Sequence, residues 1–188
     1  MTELLIAPPG GRAAKGRPES LIRLLGIGAS LAFALLLGAC KQEGGHLKNG
    51  DAAPAFTATR LDGTPLRFPQ DVAGKVVAVR FWADWCAFCR EEMTAIEPIF
   101  LARKDQGLEV LAVNAGQSRD NVEKFAKKIG VSYPVLVDEG SGVARSYRVI
   151  GLPTTFLIGR DGAVKGRILG ESDAAVLDRM LADLLQGG

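Results

Sequence analysis

A compact β-branched run, Lys75–Phe81 (KVVAVRF), leads straight into "WADWCAFC". A stretch follows in which Met93, Ile96 and Phe100 recur at three- and four-residue spacing. No other feature of the chain narrows its fold as much. An uninterrupted apolar run needs cover on both sides and reads as a buried strand. The periodicity from Ala87 onward reads as a helix packed on one face, with Pro98 expected to kink it. A strand passing directly into a helix is the unit of an α/β sheet. Two of the chain's three cysteines, Cys86 and Cys89, sit at the switch.

The rest of the chain repeats the alternation. "APAFTATRLDGTPLRF" alternates and turns at Asp62-Gly63, predicting an N-terminal β-hairpin. "LEVLAVNA" is a second buried-type strand. "SRDNVEKFAKKIG" predicts a helix with Ser118 as N-cap and Gly130 as its stop. "PVLVDE" predicts a short strand and "SGVARSYRV" a short helix. "TTFLIG" and "AVKGRILG", joined by the turn "RDG", predict an antiparallel hairpin. "SDAAVLDRMLADLLQ" predicts a closing amphipathic helix capped by Ser172 or Asp173. The expected class is therefore α/β, a mixed central sheet flanked by helices, over residues 51–188. At 188 residues and 47% apolar content the chain has material for one ordinary domain.

The first 39 residues read as an address. A basic stretch (Arg12, Lys15, Arg17, Arg23) precedes Leu24–Ala39, which carries no charge and ends in small residues. That is the layout of a secretory signal and is short for a membrane span. "LGAC" resembles the lipobox of bacterial lipoproteins, which implies cleavage before Cys40 and lipid attachment to it. An uncleaved anchor or a plain signal peptide are the alternatives. Residues 40–50 are polar and glycine-rich, as a flexible tether is, and hold the chain's single histidine, His46. Glu3 and Glu19 are the only acids before residue 40, so 19 bases and 19 acids remain from there on. A neutral, mixed surface gives no electrostatic reason to bind nucleic acid.

Three chemistries share the Cys86-x-x-Cys89 spacing. A structural bridge there would close a very small loop and add little by loop entropy. A zinc site would need further ligands, which one histidine and no other cysteine beyond Cys40 do not supply. For redox chemistry the position is apt. A helix N-terminus carries about half a positive charge and favours a thiolate at the first cysteine, and the second lies one turn away, able to resolve a mixed disulfide. Redox chemistry is the expectation, with the disulfide itself as the only redox group and no metal or other cofactor.

From Asp51 to Gln186 the sequence resembles the thioredoxin superfamily, and within it the membrane-tethered TlpA/ResA-like thiol-disulfide oxidoreductases. "DAAPAFTATRLDG", "GKVVAVRFWADWCAFC" and "GLPTTFLIGRDGAVKGRILG" carry the resemblance, in the right order. It implies a thioredoxin-like fold with Cys86 as nucleophile, Cys89 as resolving thiol and Pro153 as a cis-proline facing them. Leu152 would offer its backbone to a substrate strand, and Trp82 and Trp85 would flank the site as substrate contacts or simply pack. Glu92 would exchange the proton of the resolving thiol, whereas Glu91 would be an exposed helix residue. The resemblance also implies disulfide-containing exported clients, apocytochrome c being the best-known class. It further implies a membrane electron donor, a lipid anchor at Cys40 and a domain facing the periplasm.

Two departures stand out. Arg80 occupies a position where the tethered branch usually has a neutral polar residue. A cation in a central strand is costly unless paired. Either it pairs with Glu92 and tunes the thiolate of Cys86, or it snorkels to the surface. Ala87-Phe88 between the cysteines lacks the proline of many reducing members and leaves the direction of electron flow open. A dithiol oxidase, a peroxiredoxin-like peroxidase and, from another class, a copper-binding assembly factor are the rival readings.

Overall fold

The computed structural model describes residues 45–187. The expected signal segment 1–39, Cys40 and the first part of the tether lie outside the described residues. Among the described residues, no helix is long and apolar enough to cross a membrane.

The run read as a buried strand is β3 (Val76–Trp82), and every residue of it is buried. It lies inside a seven-stranded mixed sheet of order β2-β1-β5-β4-β3-β6-β7. The other strands are β1 (Phe56–Arg60), β2 (Pro65–Phe68), β4 (Leu108–Ala115), β5 (Val135–Asp138), β6 (Thr154–Ile158) and β7 (Val164–Leu169). β3, β4 and β5 are parallel, while β6 runs antiparallel to β3 and pairs with β7. The expected N-terminal hairpin forms, and β1 joins it to the sheet through β5. Asp62 holds its turn by accepting from the Thr64 N–H and hydroxyl.

Among the described residues, four α-helices flank the sheet: α1 (Cys89–Arg103), α2 (Arg119–Ile129), α3 (Gly142–Ser146) and α4 (Ala174–Gln186). α1 begins at Cys89 rather than Ala87, and runs without interruption through the exposed Pro98. Gly130 ends α2 in the left-handed conformation, at φ 68°. Asp173, not Ser172, caps α4 by accepting from the Ala175 N–H. The backbone of Ser172 is engaged elsewhere, as described below.

Strand alternation splits the core in two. Val77, Val79 and Phe81 point into one cluster with Phe68, Tyr147 and Phe156. Val76, Ala78 and Trp82 point into the other, which holds Met93, Ile96, Leu177, Leu181 and both cysteines of the pair. Arg80 shares their phase. Alternation alone therefore sends its side chain into the second layer, toward α1 and α4.

Candidate active site

At the end of β3 the chain makes two tight turns before α1 starts. The Cys86 N–H donates to the Ala83 carbonyl and the Cys89 N–H to the Cys86 carbonyl, each at 3.2 Å. These turns set Cys86 one helical turn ahead of α1 and Cys89 at its first residue. The two sulfurs are joined in a disulfide of 2.05 Å. Cys86 is 7% exposed and Cys89 is fully buried. Of the pair, only Cys86 presents any surface at all.

The peptide bond between Leu152 and Pro153 is cis. Leu152 is half-buried and packs against both core clusters, including the one that contains the cysteines. Trp85 is 70% exposed, and Phe88, Ile150 and Leu169 are also exposed. A side chain at Gly151 would meet the Leu169 methyl at 3.9 Å, so Leu169 lies over the segment that leads into Pro153. Trp82 departs from the expected flanking role. It has no exposed surface and stacks on Phe125 at 4.7 Å, beneath the site and out of a substrate's reach. The guanidinium of Arg90 covers the Phe125 ring at 5.2 Å.

Arg80 is 1% exposed and does not snorkel. It is paired with Glu92, which is 8% exposed, while Glu91 lies on the exposed side of α1. Arg80 Nη2 donates to Glu92 Oε2, and Nη1 donates to Thr155 Oγ1 at 3.0 Å. The other carboxylate oxygen accepts from the Ser172 N–H. Glu92 follows Cys89 by three positions and therefore shares its face of α1. The Arg80–Glu92 contact thus gathers β3, the cysteine helix, the strand after Pro153 and the loop before α4. Arg80's charge is also felt by Tyr133, whose hydroxyl donates to the Met93 carbonyl at 2.7 Å. Burial pushes the Tyr133 phenol well above its usual range, and the Arg80 charge partly opposes this.

Sequence reasoning missed a second polar cluster at the site. Gln117, just past β4, bonds both to the turn residue Asp84 and to the buried Asn114. Its only trace in the sequence is a pair of amides three apart at a strand end, a common surface pattern. Among the described residues, no group of three or more histidine, cysteine or acidic side chains is arranged to hold a metal ion.

Comparison with known proteins agrees with this geometry. Residues 49–167 match the AhpC/TSA family model. The thiol-disulfide oxidoreductase ResA of Geobacillus kaustophilus is 39% identical over 135 residues, covering 72% of this chain and 77% of that protein. ResA of Bacillus cereus is 34% identical over 161 residues, covering 86% and 92%. Among solved structures, a DsbE-like thiol:disulfide interchange protein of Chlorobium tepidum superposes with a TM-score of 0.70. It is 31% identical and covers 74% of this chain and 99% of that one. A second interchange protein of the thioredoxin family from the same organism gives a TM-score of 0.67 at 27% identity, covering 73% and 98%.

Proposed function

The chain belongs to the AhpC/TSA family and is a thiol-disulfide oxidoreductase of the ResA kind; on that premise we propose that it works as a reductase of disulfides in exported client proteins. The observation that carries the reading is the asymmetry of the pair, with Cys86 accessible and Cys89 sealed behind it.

In the reduced protein the Cys86 thiolate attacks one sulfur of the client disulfide. An S–S bond forms between Cys86 and the client, the client's own S–S bond breaks, and one client thiolate leaves. Cys89, deprotonated, then attacks Cys86 Sγ. This forms the bond seen in the structure and releases the second client thiolate. Two electrons pass to the client; one client thiolate takes the proton given up by Cys89, the other takes one from water, and the pair is left oxidised. Glu92, on the same face of α1 as Cys89, takes the resolving proton, and Arg80 holds that carboxylate in place. The half-positive N-terminus of α1 favours the Cys86 thiolate. On this reading the cis Leu152–Pro153 segment offers the backbone of Leu152 to a client strand. The exposed apolar residues Trp85, Phe88, Ile150 and Leu169 give a non-native segment something to lie on.

A membrane dithiol donor returns the two electrons. The domain faces the periplasm, anchored by lipid on Cys40 through the tether to residue 50, with residues 1–39 removed as a signal. Apocytochrome c, whose haem-binding cysteines must be reduced, is the client class to try first. The deciding experiment is the reduction potential of the pair in the full chain. A value near the thioredoxin end, about −270 mV, supports the reductase reading, and a value near the DsbA end, about −120 mV, reverses the direction.

A further inference from the structure

We propose that Gln117 is a positioning residue that clamps the active-site turn and thereby presents Cys86 for attack, an inference resting on the reading of Cys86 as the attacking sulfur. The turn from Ala83 to Cys86 is closed by a single backbone bond. Its second residue, Asp84, is exposed, as is the third, Trp85. The ends of the turn, Ala83 and Cys86, are anchored in the core, whereas its two central residues stand out from it and need a hold of their own.

Gln117 supplies that fixing from the far end of β4. Its Oε1 accepts from the Asp84 N–H at 2.9 Å and from Asn114 Nδ2 at 2.8 Å. Its Nε2 donates to Asp84 Oδ1 at 2.5 Å. Its own backbone N–H donates to Asn114 Oδ1 at 3.1 Å. Every polar atom of the Gln117 amide is used in the sense its chemistry requires. Turning the amide over would set a donor against two donors and an oxygen against a carboxylate. Asn114 is fully buried in β4, in register with Trp82 of β3 on one side and Val137 of β5 on the other. The clamp therefore runs from the rigid sheet to the residue two places before Cys86. Sites whose reacting atom is misplaced by about 1 Å can lose on the order of a hundredfold in rate, so a clamp on the exposed middle of this turn acts on rate.

The polarity of the clamp gives a specific test. Gln117→Glu keeps the two acceptor bonds but puts an oxygen against Asp84 Oδ1. Asp84→Asn in the same chain restores a donor to that oxygen, and the double variant has the charge of the wild type. The measurement is the second-order rate at which the reduced full-length protein, in detergent, consumes dithiodipyridine, an uncharged disulfide. Gln117→Glu and Gln117→Ala are expected to slow it by roughly tenfold, and Asp84→Asn/Gln117→Glu to return it to within about threefold of wild type. A residue that only stabilised the fold would lower the melting temperature and leave the folded protein's rate unchanged. Wild-type rates in both single variants overturn the proposal. So does a double variant that stays as slow as Gln117→Glu, whatever its melting temperature. A peptide disulfide assayed alongside separates the two claims: a wild type that consumes the probe but reduces no peptide sinks the client reading and leaves the clamp standing.

Discussion

The two faces of β3 solve different problems. On one side Phe81 meets Tyr147 at 5.3 Å and Phe156 at 6.2 Å, Phe56 stacks on Phe68 at 5.2 Å, and no charged side chain is buried among them. On the other side the same strand puts Arg80 between Ala78 and Trp82 and surrounds it with Glu92, Thr155 and the backbone of Ser172. Hydrocarbon in the first layer is favourable wherever it packs. Charge in the second is tolerated because Arg80 and Glu92 neutralise each other, although Arg80 Nε is left without a hydrogen-bond partner. The first layer holds the sheet together, and the second holds a buried carboxylate on the helix that begins at Cys89.

That contrast can be broken from either side. The largest effect belongs to the hydrocarbon face: Phe156→Ala should lower unfolding free energy by about 3–5 kcal/mol in a denaturant titration, with the reduction potential of the folded protein unchanged. Arg80→Ala should cost about 3 kcal/mol by the same assay, since Glu92 is left buried and uncompensated. Replacing both partners, as Arg80→Met/Glu92→Leu, turns the reactive layer into a second hydrocarbon layer. That variant should be within about 1 kcal/mol of wild type or more stable, yet slower in the resolving step of a single-turnover assay. Trp85→Ala should leave stability within about 0.5 kcal/mol and raise KM for a peptide disulfide roughly threefold or more.

The smallest effect comes from the rim of the reactive layer. Arg103 donates to both oxygens of Asp178 at 2.6 and 2.9 Å, tying α1 to α4. Those bonds hold the Asp178 carboxyl below its usual range. A carboxyl depressed in the folded state lends stability above its unfolded value, about 3.9, and that share is lost as pH falls through the folded value. The pair is partly exposed and screened, so Asp178→Asn should cost only about 0.5 kcal/mol at neutral pH. Its difference from wild type should shrink as the pH is taken below about 4.

The two faces were not equally legible. The elements followed from apolar period and turn residues, because burial of a strand or a helix face writes itself into neighbouring positions. The cysteine pair was legible because the reacting sulfurs are close in sequence. The sequence left Arg80 open between pairing with Glu92 and snorkelling, and choosing between Glu91 and Glu92 needed the resemblance; the half-buried partner of Glu92 at Ser172 lies 80 positions away. The resemblance set Trp82 beside Trp85 at the site, with packing as the alternative, yet one ends a strand whose residues are all buried and the other sits in an exposed turn. Gln117 gave no usable signal. Its role exists only because β4 ends beside the turn that follows β3.

The outer strands of the sheet carry a consequence of another kind. β2 shows the solvent Pro65 and Arg67, and β7 shows it Lys165, with Gly166 between that lysine and the half-exposed Arg167. Proline and basic residues on a border strand discourage another chain from annealing along it. The exposed apolar residues Trp85 and Phe88 beside the disulfide thus stand on a domain whose sheet borders resist annealing, so apolar contact there need not turn into strand addition.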